Sequence, residues 1–71
     1  MVVKIRDYGQ GMIHCVELED NDNSGSGDAR LFRAAADWLE AHPDTCLLGM
    51  SLEDNHNIDE PETKLQLFVE D

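Results

Sequence analysis

Basic residues are few in this chain of 71 residues: five lysines and arginines stand against sixteen aspartates and glutamates, for a formal net charge of −11. Binding to nucleic acid phosphates needs clustered lysine and arginine, and docking on an anionic membrane needs them too. The shortage of bases therefore argues against both kinds of partner. It is compatible with a cationic partner, with a bound metal ion, or with the protein chemistry of a halophilic host.

Cysteine is also scarce, since only Cys15 and Cys46 are present. Two cysteines do not make the disulfide framework of a small secreted domain. Both lie in apolar runs, so we expect buried, reduced thiols. The sequence leaves a bridge between them open, because it gives no distance to test.

Long apolar segments are missing as well: no run approaches the ~18 residues of a membrane span, and the amino-terminal residues do not resemble a secretory leader. We therefore expect a soluble, cytoplasmic protein. A chain of 71 residues makes one domain with a core near the lower size limit for independent folding. A homodimer would bury further surface, so we expect one.

Alternation of apolar and polar residues predicts four short strands, which span residues 2–6, 12–19, 45–53 and 63–70. The residues predicted to face the core from the second strand are Met12, His14, Val16 and Leu18. Those from the third strand are Cys46, Leu48, Met50 and Leu52, and those from the fourth are Leu65, Leu67 and Val69. We expect His14 to be a structural histidine with a hydrogen-bond partner.

Helical periodicity replaces alternation between residues 29 and 42. Asp28 or Ser26 is expected to cap the start of this helix, and Pro43 ends it because proline disfavours helical geometry at the preceding residue. The apolar stripe predicted to face the core comprises Leu31, Phe32, Ala35, Trp38 and Leu39.

The succession ββαββ predicts an α+β fold over residues 1–71: a two-layer sandwich with one amphipathic helix on a four-stranded, mainly antiparallel sheet. A β-grasp-like strand order and a simple meander with a helix both fit this succession. In either case a helical return makes the second and third strands point the same way, so that both end at one edge of the sheet.

Each of these two strands leads into an acidic loop, at residues 20–28 and 54–62. Neither loop contains a lysine or an arginine. We therefore predict a strongly anionic edge that binds a cationic protein surface by charge attraction. The partner-binding residues predicted there are Asp20, Asp22, Asp28, Asp54, Asp59, Glu60 and Glu62.

Calcium is an alternative for the first of these loops. Residues 20–28 carry oxygen side chains at alternate positions, with Gly25 where an EF-hand loop bends. The twelfth position of such a loop needs a bidentate glutamate, but Leu31 stands there. A strand also precedes the loop, where an EF-hand has a helix. The calcium ligands that this alternative predicts are Asp20, Asp22, Ser24 and Asp28.

The expected function is that of a non-catalytic protein-interaction module. The sequence contains no phosphate-binding glycine loop, nucleophile elbow or dinucleotide-binding fingerprint. On the sheet face away from the helix, we expect Tyr8, Ile13 and Phe68 to form a dimer interface. Apart from a possible calcium ion, no cofactor is predicted. A small protein whose acidity only reflects a halophilic host is a further alternative.

Overall fold

A computed structural model describes residues 3–9, 11–22, 24–55 and 62–71, and it confirms the predicted α+β fold of one helix on a four-stranded sheet. The elements follow the predicted ββαββ order. Their bounds are β1 Lys4–Asp7, β2 Ile13–Asp20, α1 Gly25–Ala41, β3 Cys46–Asn55 and β4 Glu62–Glu70.

The strands are arranged in the order β1-β2-β4-β3, so the last strand lies between β2 and β3 and the sheet is not a meander. Every neighbouring pair is antiparallel. Because β2 and β3 both run antiparallel to β4, they point the same way and end at the same edge, as the sequence predicted. Asp20 of β2 and Asp54 of β3 both lie opposite Thr63 of β4.

The core lies between α1 and the two central strands, β2 and β4. Alternation along these strands directs every second side chain toward the helix, and the predicted inward residues of β2 and β4 are buried, except for Met12, which precedes β2 and is 70% exposed. The buried apolar residues are Val16, Leu18, Leu31, Ala35, Trp38, Leu65, Leu67 and Val69.

The helix begins four residues earlier than predicted, at Gly25. Its N-cap is Ser24, whose side chain makes no capping hydrogen bond, so the expected cap at Asp28 or Ser26 was wrong. The helix ends before Pro43 as predicted. His42 closes it by donating its backbone amide to the Leu39 carbonyl and by stacking its ring on Trp38 with 4.1 Å between centroids.

The predicted burial of β3 was wrong. Met50 and Leu52 lie on the helix side of the sheet, opposite Leu67 and Leu65, yet they are 48% and 42% exposed. The reason is that, over the described residues, α1 contacts β2 and β4 but not β3. Three other residues predicted to be buried are also exposed: Phe32, Cys46 and Leu48.

A register irregularity between Leu47 and Gly49 contributes to this error. A bulge of this kind shifts the alternation of side chains by one residue. Cys46 accordingly lies opposite Glu70. Because Val69 faces the core, its neighbour Glu70 faces the outer side of the sheet, and so does Cys46. Among the residues described, no helix combines the length and the apolar character needed to cross a membrane.

Candidate functional site

The edge at which β2 and β3 end and β4 begins, marked by Asp20, Asp54 and Glu62, is called the acidic edge here. Thr63 sits between the two aspartates and is fully buried. Its hydroxyl donates a hydrogen bond to Asp54 Oδ1 over 2.9 Å. The register therefore brings together the ends of two strands that are far apart in sequence.

Asp20 is held inside the molecule by Arg30. Its side chain is 1% exposed, and Arg30 Nε donates to Asp20 Oδ2 over 2.8 Å. The same guanidinium donates from Nη2 to Asp22 Oδ2 over 2.9 Å. These two carboxylates raise the pKa of Arg30, with the hydrogen bond to Asp20 as the largest cause. Asp20 thus positions the β2–α1 connection, and it is not accessible to a partner.

Asp22 organises the connection that follows. Ser24 donates its backbone amide to Asp22 Oδ1 over 2.9 Å, and Asp22 donates its own amide to Asp20 Oδ1 over 3.0 Å. Hydrogen bonds from Ser24, followed by those from Arg30, lower the pKa of Asp22 to about 2. The carboxylate therefore stays ionised in all but strong acid.

The calcium alternative gains no support from this geometry. Asp20 and Asp22 turn toward the guanidinium of Arg30, so the chain itself supplies the cation that their charges require. The segment from Gly25 onward is already helical and does not wrap around an ion. Within the described part of the chain, no group of three or more histidine, cysteine or acidic side chains is placed to hold a metal ion.

The β3 half of the acidic edge is less compensated. Asp54 and Glu53 are exposed, and neither has an ion-pair partner among the described residues. Asp28, in the first turn of α1, is half-buried, and its Oδ1 has no hydrogen-bond partner in the same part of the chain. The two remaining acids predicted for this edge, Asp59 and Glu60, lie outside the described residues.

On the outer face of the sheet, which is turned away from α1, Lys64 is surrounded by three glutamates. Lys64 Nζ lies 3.6 Å from Glu17 Oε1, 3.5 Å from Glu19 Oε1 and 3.7 Å from Glu62 Oε1. The negative charges of these glutamates raise the pKa of Lys64, and Glu17 makes the largest contribution. On the other side of β2, Lys4 lies opposite Glu19. The acidic edge therefore carries less uncompensated negative charge than a count of acidic residues within each loop predicts.

The residues predicted to form a dimer interface are all exposed: Ile13 by 62%, Tyr8 by 49% and Phe68 by 40%. Ile13 and Phe68 are diagonal neighbours on the outer face, since Phe68 lies opposite Cys15 and Ile13 opposite Glu70. Cys15 is half-buried between them, and burial raises the pKa of its thiol. A dimer through this patch stays a prediction.

A buried histidine lies between two exposed aspartates at the opposite edge of the sheet. His14, whose side chain is 4% exposed, places Nδ1 3.0 Å from Asp7 Oδ1 and Nε2 3.2 Å from Asp71 Oδ2. The contact with Asp71 is the largest cause that raises the pKa of His14, and Asp7 adds to it. The expected structural histidine is confirmed. Its burial leaves no room for a substrate at the ring.

Sequence reasoning did not identify Arg30 as the partner of Asp20. A signal for its role exists in β2, where Asp20 continues the inward alternation of His14, Val16 and Leu18. A carboxylate on an inward position needs a cation or hydrogen-bond donors nearby, because burial of an unpaired charge is very unfavourable.

No protein-family model, curated protein sequence or solved structure matches this chain.

Proposed function

We propose that this chain is a non-catalytic interaction module that binds a cationic protein surface through the acidic edge. The observation that supports the proposal is the shared register of β2 and β3 on either side of Thr63, since it brings the exposed end of β3 at Asp54 to the same edge of the sheet as the acidic connection that follows β2. The described acids there that are exposed and have no ion-pair partner among the described residues are Glu53 and Asp54.

The charge of the whole chain supports the same proposal. A net charge of −11 attracts a basic surface over long distances, and a local cluster of acids then orients it. The function is proposed to be non-catalytic because His14, the described histidine with carboxylate neighbours, is buried. A cytoplasmic location is part of the proposal, and the free cysteines Cys15 and Cys46 are consistent with a reducing compartment.

A matched pair of variants tests whether the acidic edge carries the binding. Glu53→Gln with Asp54→Asn removes two negative charges at the edge and retains the oxygen that accepts from Thr63. Asp37→Asn with Glu40→Gln removes the same charge from exposed positions in the second half of α1. Each immobilised protein is exposed to host lysate at low ionic strength and eluted with salt, and the captured basic proteins are quantified.

The expected result is at least a tenfold loss of capture for the edge variant and little change for the helix variant. Equal losses in both variants would mean that only the total charge matters, and this would contradict the assignment to the edge. Absence of captured protein, together with better folding in molar salt, would favour the halophilic alternative.

A further inference from the structure

Five large apolar side chains are exposed along β3 and the flank of α1 that faces it. Each is between 42% and 55% exposed. Leu47, Met50 and Leu52 lie on the helix side of the sheet, opposite buried residues of β4, where such exposure is unusual. This β3 strip consists of Phe32, Leu47, Leu48, Met50 and Leu52.

Phe32 belongs to the strip because of its position on the helix. Arg30 reaches Asp20 on β2, so the flank of α1 that carries Arg30 faces that strand. Phe32 follows two residues later, about 200° around the helix axis. Its side chain therefore lies on the opposite flank, above the side of the sheet that ends with β3.

β3 is an edge strand of ten residues, and in the described part of the chain it pairs with β4 alone. Edge strands in monomeric proteins usually carry charges or proline, because their free backbone groups otherwise pair with another chain. Residues 46–52 contain neither, in a chain of which 30% of the residues are charged. The bulge between Leu47 and Gly49 leaves a regular segment from Gly49 to Asn55 with a free edge.

We propose that a second copy of this chain covers the β3 strip, with the two β3 strands antiparallel about a twofold axis. Residues 46–52 contain no carboxylate, so the negative charge that attracts a cationic partner to the acidic edge is missing from this strip. The strip is instead complementary to a surface that is equally apolar and uncharged. A twofold interface presents the same patch from both copies, and so satisfies this condition.

The direction of pairing follows from the acids at the end of the strand. Glu53 and Asp54 come directly after the uncharged run. Parallel pairing would place these residues of both copies side by side, whereas antiparallel pairing moves them to opposite ends of the interface. Specific interfaces bury roughly 500 Å² or more on each side. Five half-exposed large side chains and the backbone of an edge strand supply an area of that order.

Sedimentation equilibrium of three lysine variants tests the proposal. Met50→Lys and Leu52→Lys each place a charge in the strip at an exposed position. Ile13→Lys is the matched control, because it makes the same change at an exposed apolar residue of the outer face. All three variants reduce the net negative charge, so a loss of the dimer cannot result from increased repulsion between the net charges of the two copies. Circular dichroism establishes that each variant is folded.

The expected result is a wild-type dimer whose dissociation constant rises at least tenfold in Met50→Lys and Leu52→Lys but not in Ile13→Lys. A wild-type chain that stays monomeric up to ~1 mM would overturn the proposal. Dissociation by Ile13→Lys alone would overturn it in favour of the outer-face patch.

Salt separates this proposal from the proposed function. Two copies that each carry −11 repel one another, so salt at ~1 M should strengthen the dimer by screening that repulsion. The same salt should weaken capture of a cationic protein. Either the dimer or the capture can therefore fail without affecting the other result.

Discussion

The side chain of His14 lies between two carboxylates that reach it from different parts of the chain, Asp7 at the end of β1 and Asp71 after β4. The cluster fixes the turn end of the β1–β2 hairpin to the end of the central strand β4. The Asp71 amide adds to this by donating to the Met12 carbonyl over 2.9 Å. One ionisable ring therefore connects three strands.

The charge of His14 makes this connection dependent on pH. Its pKa is raised above 6.5 in the folded chain, chiefly by Asp71, so the folded state binds the proton more strongly than the unfolded state. This contribution to stability is complete below the unfolded pKa of 6.5 and is lost as the pH rises through the folded pKa. We expect Asp71→Asn to lower the free energy of unfolding more at about pH 5.5 than at about pH 9.

Urea unfolding at the two pH values measures this difference, and NMR titration of the ring measures the pKa of His14 directly. Asp44→Asn is the control, since Asp44 is an exposed acid near the C-terminal end of α1 and is not in the cluster. A pKa of His14 below 6.5 would contradict the expectation. The same would hold if Asp71→Asn were equally destabilising at both pH values.

The first turn of α1 depends on a close approach between the helix and the connection before it. Gly27 is buried, and a Cβ atom there would overlap the carbonyl oxygen of Asp22. Gly25, two residues earlier, has open space around the position of its Cβ. The two glycines thus have similar helical positions and opposite environments.

We expect Gly27→Ala to destabilise the fold by ~1–3 kcal/mol, because the backbone must move to remove the overlap. This cost exceeds the helix-forming advantage of alanine over glycine, which is ~1 kcal/mol. Gly25→Ala should be neutral or stabilising by up to about 1 kcal/mol. Urea denaturation of both variants measures the difference, and a destabilisation by Gly25→Ala that matched that of Gly27→Ala would contradict this account.

Elements with strict periodicity could be predicted from the sequence, and the other features could not. Alternation in β2 and β4 and the spacing of Leu31, Ala35 and Trp38 identify the core, because burial in the structure follows the same periods. The start of α1 was misplaced since Ser and Gly residues are typical of loops. The requirement for glycine at position 27 follows instead from its close approach to the backbone of Asp22, which the local sequence does not reveal.

The burial of β3 depended on where a single helix lies across four strands, and local sequence does not specify this position.

The candidate site could also be predicted only in part, because contacts between distant elements determine its charge. Strand direction predicted that Asp20 and Asp54 meet at one edge, whereas the bases that compensate some of the acids come from other elements. Arg30 belongs to the second turn of the helix and Lys64 to β4. A count of charges along each loop therefore overestimates the charge of the folded edge.

The whole molecule carries eleven more negative than positive charges within a small volume. Repulsion among them disfavours the compact state, and salt screens it. We expect the thermal midpoint of unfolding to rise between low ionic strength and ~1 M sodium chloride. Measuring it in the Met50→Lys background avoids a contribution from association.

A variant with reduced charge provides the control for this prediction. In the Met50→Lys background, Asp37→Lys with Glu40→Lys changes the net charge from −10 to −6, because each substitution removes one negative and adds one positive charge. Its thermal midpoint should rise less with salt than that of the parent. An equal rise in both proteins would show that the salt acts on apolar burial and not on charge repulsion.

The central position of β4 also affects how the chain is made. β4 is translated after the other four elements described. Among the residues of these elements, β3 pairs with no strand but β4, and β2 pairs otherwise only with the short β1. Until residues 62–70 leave the ribosome, the nascent polypeptide cannot close its sheet, and its most apolar strand has no neighbour. Folding must therefore follow the synthesis of this segment, and a transcript truncated before it would yield a product prone to aggregate.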